Sequence, residues 1–220
     1  MARSGETAQS ATEPQRECPL CPRLVEFREK NRKELPDFHN APVASFGDRQ
    51  GHLLIVGLAP GLKGANRTGR PFTGDFAGDL LYATLIELGL AGGTYRADPA
   101  DGLSLKSCMI TNAVRCVPPE NKPTGLEAKA CRTFLAATLH SMPNLRAVLA
   151  LGRIAHENVL AATDAPRARH PFAHGAAHRL PDGTQLVGSY HCSRYNTNTN
   201  RLTPEMFRYA VQKAKGLAGL

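Results

Sequence analysis

Residues 52–60 read HLLIVGLAP, four consecutive apolar side chains between a histidine and a Gly-Leu-Ala-Pro turn. A short apolar run bounded by turn residues is typical of a strand that is buried on both faces, as in a parallel sheet. The pattern recurs in three segments: SCMITNAVRC (107–116), RAVLALG (146–152) and TQLVGSYH (184–191). The sequence therefore predicts four strands of one parallel sheet.

Helical signals follow each of these predicted strands. GDFAGDLLYATLIELG (74–89) ends on a glycine, and Thr124 with Glu127 forms a capping box that opens the next helix. RIAHENVLAA (153–162) follows the third strand, and Pro204 suits the first turn of the last helix. Because strand and helix alternate four times, we predict the α/β fold class, with helices on both faces of a parallel sheet.

The length, the hydrophobic content and the charge of the chain indicate a globular protein with a polyanionic partner. The chain has 220 residues, of which 42% are hydrophobic, and 27 basic against 19 acidic side chains give a net charge of +8. Such an excess favours nucleic acid as a partner, although a basic surface that serves only solubility is the alternative. We find neither a signal peptide in residues 1–17 nor an apolar run of the about 18 residues that a membrane span needs. We predict a cytoplasmic monomer without membrane association, with a disordered tail over residues 1–17 and one domain over 18–220.

Four of the six cysteines have spacings that suit metal ligands. Cys18 and Cys21 form a C-x2-C pair ahead of a helix, and Cys116 and Cys131 flank a loop and the start of the capped helix. Four thiolates can hold zinc or a [4Fe–4S] cluster, the wide second spacing is loose for zinc, and free thiols are the alternative. The other two are predicted to be ordinary buried residues: Cys108 and Cys192.

Functional residues are expected where the parallel strands end, because ligands bind beyond the carboxyl edge of such sheets. This rule places GLAPG (57–61), TNAVRC (111–116), LGRIAH (151–156) and HCSRYN (191–196) together. The glycine-rich stretch after the first strand lacks both G-x-x-x-x-G-K-[ST] and G-x-G-x-x-G, so a nucleotide-binding hydrolase has weak support. NRTGRPFTGD (66–75) is better suited to a pocket, with an aromatic ring beside a carboxylate.

Two long motifs resemble a known family. GLAPG with GANRTGRPFTGD (64–75), and HCSRYNTNTNRLT (191–203), are similar to the first and second motifs of the family-5, B-type uracil-DNA glycosylases. The four cysteines resemble the iron–sulfur site that the family-4 and family-5 enzymes share. The segments TNAVRC, LALGRIAH and HPFAHGA also fit, so the resemblance runs from about Cys18 to Phe207.

This resemblance implies a fold, an activity and a cofactor. The fold is a single three-layer α/β/α domain around a four-stranded parallel sheet. The activity is hydrolysis of the N-glycosidic bond of uracil, and of other deaminated or modified bases, in single- and double-stranded DNA. The cofactor is a [4Fe–4S] cluster on Cys18, Cys21, Cys116 and Cys131. A non-catalytic iron–sulfur protein that binds DNA is the alternative.

The resemblance also implies two catalytic residues. Asp75 would stabilise positive charge on the sugar and position a water molecule, while a helix N-cap is the alternative role. In better-known uracil glycosylases the residue at the position of Ala59 is polar and handles the water; alanine cannot, which agrees with the family-5 type. His191 would donate a hydrogen bond to the departing base, and an ordinary strand-end histidine is the alternative.

Further residues are predicted to bind the base and the DNA. Phe72 would stack on a flipped base and Asn112 would read its edge, with a core phenylalanine and a turn-tying asparagine as alternatives. The predicted base-binding residues are Gly57, Ala59, Phe72 and Asn112. The predicted DNA contacts are Arg67, Arg70, Ser193, Arg194, Tyr195 and Asn196. Of these, Arg194 or Tyr195 would fill the gap that a flipped base leaves, unless the segment is merely a solvated loop.

Overall fold

The computed structural model describes residues 12–220. Helices α1 to α7 span Pro22–Glu34, Ala65–Thr68, Phe76–Glu87, Gly125–His140, Arg153–Ala162, Arg194–Asn198 and Pro204–Leu217. Strands β1 to β8 span Phe46–Gly47, Leu53–Gly57, Ala91–Gly92, Ser104–Leu105, Cys108–Asn112, Ala147–Leu151, Ala177–Arg179 and Gln185–Ser189. Among the helices of this described region, none combines the length and the apolar composition that crossing a membrane requires.

The central sheet has six strands in the order β1-β5-β2-β6-β8-β7. Strands β5, β2, β6 and β8 are parallel neighbours, which confirms the predicted four-stranded parallel sheet. Strands β1 and β7 pair antiparallel at its two edges, and β3 and β4 form a separate two-stranded sheet. These added strands were not predicted, because two or three residues are too few to show a period in the sequence.

Helices cover both faces of the sheet, which confirms the three-layer α/β/α architecture. Alternate residues of each central strand point to opposite faces. Ile55 and Leu149 pack in the core under α3 and α7, whereas Leu54 and Val148 pack in the core under α4 and α5. All four side chains are fully buried, and each such burial contributes about 1.5–3 kcal/mol.

The helix starts agree with the signals in the sequence. The hydroxyl of Thr124 accepts the backbone N–H of Glu127 at 3.2 Å, and the Glu127 carboxylate accepts the N–H of Thr124 at 2.7 Å. This reciprocal capping box opens α4, as predicted. The hydroxyl of Thr203 caps α7 by accepting the backbone N–H of Met206 at 3.2 Å, with Pro204 in the first turn.

The prediction of a disordered tail over residues 1–17 is wrong for residues 12 and 13, which pack against the domain. Residues 1–11 lie outside the described residues. Thr12 is only 4% exposed. The Glu13 carboxylate accepts the N–H of Ser45 at 3.1 Å and pairs with the buried guanidinium of Arg115 at 2.9 Å. A buried guanidinium is costly without an anionic partner. The ordered domain therefore begins before Cys18, the boundary that composition predicted.

Candidate active site

A cavity of about 300 Å³ opens at the carboxyl edge of the parallel strands. Its walls come from the turn after β2, the segment that leads into α3, the end of β5, the loop before α4 and the loop after β8. The lining residues are Leu58, Ala59, Pro60, Gly61, Ala65, Phe72, Asp75, Phe76, Ala77, Asn112, Asn121, His191, Ser193 and Arg194. The structure thus brings both predicted catalytic residues and most of the predicted base-binding residues to one cavity.

Asp75 holds its carboxylate against the backbone of the glycine turn. It stands at the N-cap position of α3, yet its side chain makes no capping hydrogen bond. A Cβ atom at Gly61 would lie 2.6 Å from a carboxylate oxygen, and one at Gly64 would overlap the carboxylate. The two glycines therefore leave the space that the Asp75 carboxylate occupies. Helix capping does not explain why an aspartate stands at this position.

Burial raises the pKa of Asp75 above its ordinary value, because desolvation disfavours the charged form. The backbone N–H of Ala65 and the positive charge of Arg67 act in the opposite direction, and the charge of Asp79 adds to the effect of burial. A carboxylate that has lost part of its hydration interacts strongly with a nearby positive charge. The group is suited to stabilising a cation or accepting a proton from water.

His191 follows β8 and faces the same cavity. Burial lowers the pKa of its imidazole to about 4, so the ring is neutral near neutral pH. Its ring centroid lies 6.0 Å from that of Phe72, with 30° between the ring planes. A neutral imidazole offers one N–H donor and one acceptor nitrogen, so it can donate a hydrogen bond without carrying a positive charge.

Phe72 and Asn112 meet over Gly57, the last residue of β2. A Cβ atom at Gly57 would lie 2.5 Å from Cζ of Phe72 and would collide with Oδ1 of Asn112. Asn112 is 2% exposed, and its buried Oδ1 has no hydrogen-bond partner among residues 12–220. Buried polar atoms are rarely left unpaired, so this oxygen is available to a ligand that brings a donor. Phe72 is both buried and part of the cavity wall.

The predicted DNA contact of Arg70 is not supported by its position. The side chain is only 5% exposed, and its two terminal nitrogens donate to the carboxylate of Asp101 at 2.8 Å each. A buried guanidinium that is already paired on two nitrogens cannot reach a phosphate group at the surface. Arg67 is exposed, and its Nε donates to the carbonyl of Lys63 at 2.9 Å.

The loop after β8 divides into anchored and exposed side chains. Ser193 caps α6, a short helix that the sequence did not predict. The amide of Asn196 donates to the carbonyl of His191 at 2.8 Å, so it holds the start of the loop after β8. The guanidinium of Arg194 lies 5.1 Å from the ring centroid of Phe76, and Tyr195 is 72% exposed. The side chains of Arg194 and Tyr195 therefore remain accessible to a partner.

Asn121, which was not predicted from the sequence, reaches the cavity from the loop before α4. Asn121 and Glu120 both have left-handed backbones, with φ of 57° and 54°. Arg23 of α1 donates to the carbonyl of Lys122 at 3.1 Å and binds both carboxylate oxygens of Glu127 at 2.7 and 2.8 Å. In the sequence, Asn121 lies among prolines just before the capping box, and asparagine tolerates the left-handed region better than most residues. This pattern was the available signal for an exposed turn at that position.

The four predicted ligand cysteines line one small, mostly apolar pocket between α1 and α4. Burial, together with the neighbouring thiols, raises the pKa of Cys21 to about 11 and that of Cys116 to about 12. Within residues 12–220, no group of three or more His, Cys, Asp or Glu side chains is arranged to hold a single metal ion. Two further cysteines are fully buried elsewhere in the core, as predicted: Cys108 and Cys192.

The chain is similar in sequence to known uracil-DNA glycosylases. Residues 44–215 match the model of the uracil DNA glycosylase superfamily. A type-5 uracil-DNA glycosylase of Thermus thermophilus is 48% identical, over 92% of this chain and 94% of its own. One of Mycobacterium leprae is 44% identical over 92% of each chain. A type-4 uracil-DNA glycosylase of Saccharolobus solfataricus is 31% identical, over 58% of this chain and 53% of its own.

We expect the imidazole of His191 to titrate with a pKa of about 4, well below the ordinary 6.5, because burial disfavours its charged form. The folded state then binds fewer protons than the unfolded state. The stability contributed by the neutral ring is fully present above pH 6.5 and is lost as the pH falls toward 4. An NMR titration of the ring resonances, assigned by their absence in His191→Gln, measures this value. A midpoint at or above 6.5 would contradict the burial of the ring.

Proposed function

The chain belongs to the uracil DNA glycosylase superfamily, and we propose that it is a DNA glycosylase that removes uracil from DNA and so starts base excision repair. It hydrolyses the N-glycosidic bond and leaves an abasic site. One observation carries the proposal most directly. The carboxylate of Asp75 lies largely buried, without a capping bond, in a cavity that also presents the unpaired oxygen of Asn112.

Base recognition requires that the nucleotide leave the helix, because the bond is inaccessible while the base is stacked. The ring of Phe72 provides a face on which the flipped base stacks. Asn112 offers an amide oxygen to the ring N–H of uracil and an amide N–H to the neighbouring carbonyl. The unpaired Oδ1 supports this assignment, since a bound uracil supplies the missing donor.

Bond cleavage separates a positive sugar from a negative base. As the C–N bond breaks, the sugar gains oxocarbenium character, and the carboxylate of Asp75 stabilises it by charge. Water then adds to the anomeric carbon and gives up a proton, for which Asp75 is the acceptor. The base leaves as an anion that takes up a proton from solvent, and the neutral His191 donates a hydrogen bond to its developing charge.

We also propose that the enzyme accepts deaminated or modified bases other than uracil. The cavity measures about 300 Å³, and part of its wall carries small side chains: Ala59, Gly61, Ala65 and Ala77. Small residues leave room for a purine as well as for a pyrimidine. A cleavage panel of single damaged bases in otherwise identical oligonucleotides measures this range.

The DNA-facing surface is assigned to the loop after β8 and to the glycine turn. Arg194 and Tyr195 stand exposed at the cavity mouth, where one of them fills the gap that the flipped base leaves. Arg67 contributes a phosphate contact from the other side, and the net charge of +8 favours binding to DNA. The monomeric state and the cytoplasmic location stay predictions.

We further propose that Cys18, Cys21, Cys116 and Cys131 hold a [4Fe–4S] cluster. The four thiols share one pocket, burial raises the pKa values of Cys21, Cys116 and Cys131, and bound cations favour the thiolate forms. Tetrahedral zinc would draw the four sulfurs to about 3.8 Å from one another, given Zn–S bonds of about 2.3 Å. The spacing of fourteen residues between Cys116 and Cys131 is loose for a structural zinc site, which favours the larger cluster. Its role is structural, joining α1 to the segment after β5.

A non-catalytic iron–sulfur protein that binds DNA is the second candidate. It requires the cysteines and the positive charge, but not a buried carboxylate beside an unpaired amide oxygen. Burying a charge without a strong partner is unfavourable, so the position of Asp75 favours the enzyme. Incubation with uracil-containing DNA followed by hot alkali separates the two functions, because alkali breaks the strand only at abasic sites.

We expect Asp75→Asn to lower single-turnover excision of uracil by about a hundredfold or more, because the amide cannot offset the charge of the sugar. DNA affinity should change little, since the carboxylate acts mainly in the transition state. Asp164→Asn, at an exposed acidic residue outside the cavity, is the matched control and should retain activity. Unchanged cleavage by Asp75→Asn would remove Asp75 from the mechanism.

Protein purified without oxygen should be brown and contain about four irons per chain. Cys116→Ala should lower the iron content and destabilise the fold, whereas Cys108→Ala, at a buried cysteine outside the pocket, should leave iron content unchanged. Iron analysis and visible absorbance measure both variants. A colourless protein with one zinc per chain would refute the cluster.

Arg194→Ala and Tyr195→Ala should reduce excision more on double-stranded than on single-stranded DNA, because only a duplex leaves a stacked gap to fill. Tyr209→Ala, at an exposed tyrosine of α7, serves as the control and should affect neither substrate. Single-turnover rates on matched oligonucleotides at one salt concentration provide the comparison. If both variants lose activity equally on the two substrates, neither residue acts as a wedge.

A further inference from the structure

Phe72 has a backbone conformation that bulky side chains rarely adopt. Its φ is +55°, in the left-handed region that favours glycine and asparagine. Such a conformation persists only when the surrounding structure holds it in place, and it occurs most often at functional sites. Something near Phe72 must therefore stabilise the turn.

The hydroxyl of Tyr95 joins the two sides of this turn. It donates to the carbonyl of Phe72 at 3.2 Å and accepts the backbone N–H of Gly74 at 3.3 Å. The hydroxyl of Tyr82 donates to the preceding carbonyl, that of Pro71, at 2.6 Å. Two tyrosines thus supply the backbone partners that a regular helix or strand would have supplied.

The two tyrosines are themselves held by a buried ion pair. Their rings stack with centroids 4.6 Å apart. The guanidinium of Arg70 lies 5.5 Å from the Tyr82 ring and 5.9 Å from the Tyr95 ring. Asp101 fixes that guanidinium through two bonds of 2.8 Å and also accepts the backbone N–H of Arg96 at 3.0 Å. The aromatic rings therefore pack against a cation that cannot move independently.

This network reaches the cavity through Phe72. Gly78 lets α3 approach the turn, because a Cβ atom there would collide with the carbonyl of Phe72. The ring of Phe72 then faces His191 at a centroid distance of 6.0 Å. A change in the backbone of the turn would tilt this ring relative to the imidazole.

We propose that Tyr95, held by Tyr82 and the Arg70–Asp101 ion pair, is a positioning residue that keeps Phe72 in its left-handed conformation and so sets the plane on which the flipped base stacks. This inference rests on the proposed glycosylase function. It also gives Arg70 a role inside the protein in place of the predicted contact with DNA.

Tyr95→Phe tests the proposal by removing one oxygen atom while keeping the ring. We expect a roughly fivefold loss in the single-turnover rate of uracil excision, as for one hydrogen bond that is no longer made in the folded enzyme. Affinity for undamaged duplex DNA should not change, because no damaged base is stacked there. Tyr209→Phe, in the exposed tyrosine of α7, is the matched control and should keep the full rate.

A double-mutant cycle with Phe72→Leu separates positioning from general stability. If Tyr95 acts through the aromatic ring, Tyr95→Phe should cause no further loss of rate in the Phe72→Leu background. Fluorescence of 2-aminopurine placed beside the uracil should report less stable flipping in Tyr95→Phe and in Phe72→Leu alike. Losses that multiply, or an unchanged rate in Tyr95→Phe, would overturn the proposal. Absence of excision by the unaltered protein would instead refute the proposed function itself.

Discussion

The site depends on one constraint: the carboxylate of Asp75 must sit largely buried without an ion-pair partner among the described residues 12–220. Such a group is tolerated only where the backbone approaches closely enough to replace water. The glycines at positions 61 and 64 permit that approach, and the N–H of Ala65 provides a donor. The turn after β2 therefore cannot carry side chains at these positions without displacing the carboxylate.

The parallel sheet brings distant parts of the chain to this carboxylate. Strand β2 lies between β5 and β6, and β8 follows β6, so Asn112 and His191 emerge at the same edge as the glycine turn. The cysteine-bearing segment supports another wall of the cavity. Arg23 of α1 binds both Glu127 and the carbonyl of Lys122, next to Asn121. The pocket of the four cysteines and the cavity at the edge of the sheet are thus connected through one loop.

Local signals predicted most of the fold, and the long motifs contain the predicted residues Ala59, Phe72, Asp75 and His191, which the structure brings to one cavity. The four parallel strands and the capping box depend on neighbouring residues, so the sequence shows them directly. The burial of Arg70 could not be predicted from neighbouring residues, because it depends on Asp101, 31 residues further along the chain. Glu13 presents the same difficulty, since its partner Arg115 is 102 residues away. Composition describes both as polar surface residues, and only tertiary packing shows that they are anchored.

The short antiparallel strands at the two sides of the sheet have a consequence for self-association. Strands β5 and β8 are almost wholly buried, and their outer hydrogen-bonding groups would otherwise be open to another chain. Strand β1, with two residues, and β7, with three, occupy those positions. Because each is too short to template a further strand, the sheet ends within the molecule, and the protein is protected against edge-to-edge aggregation.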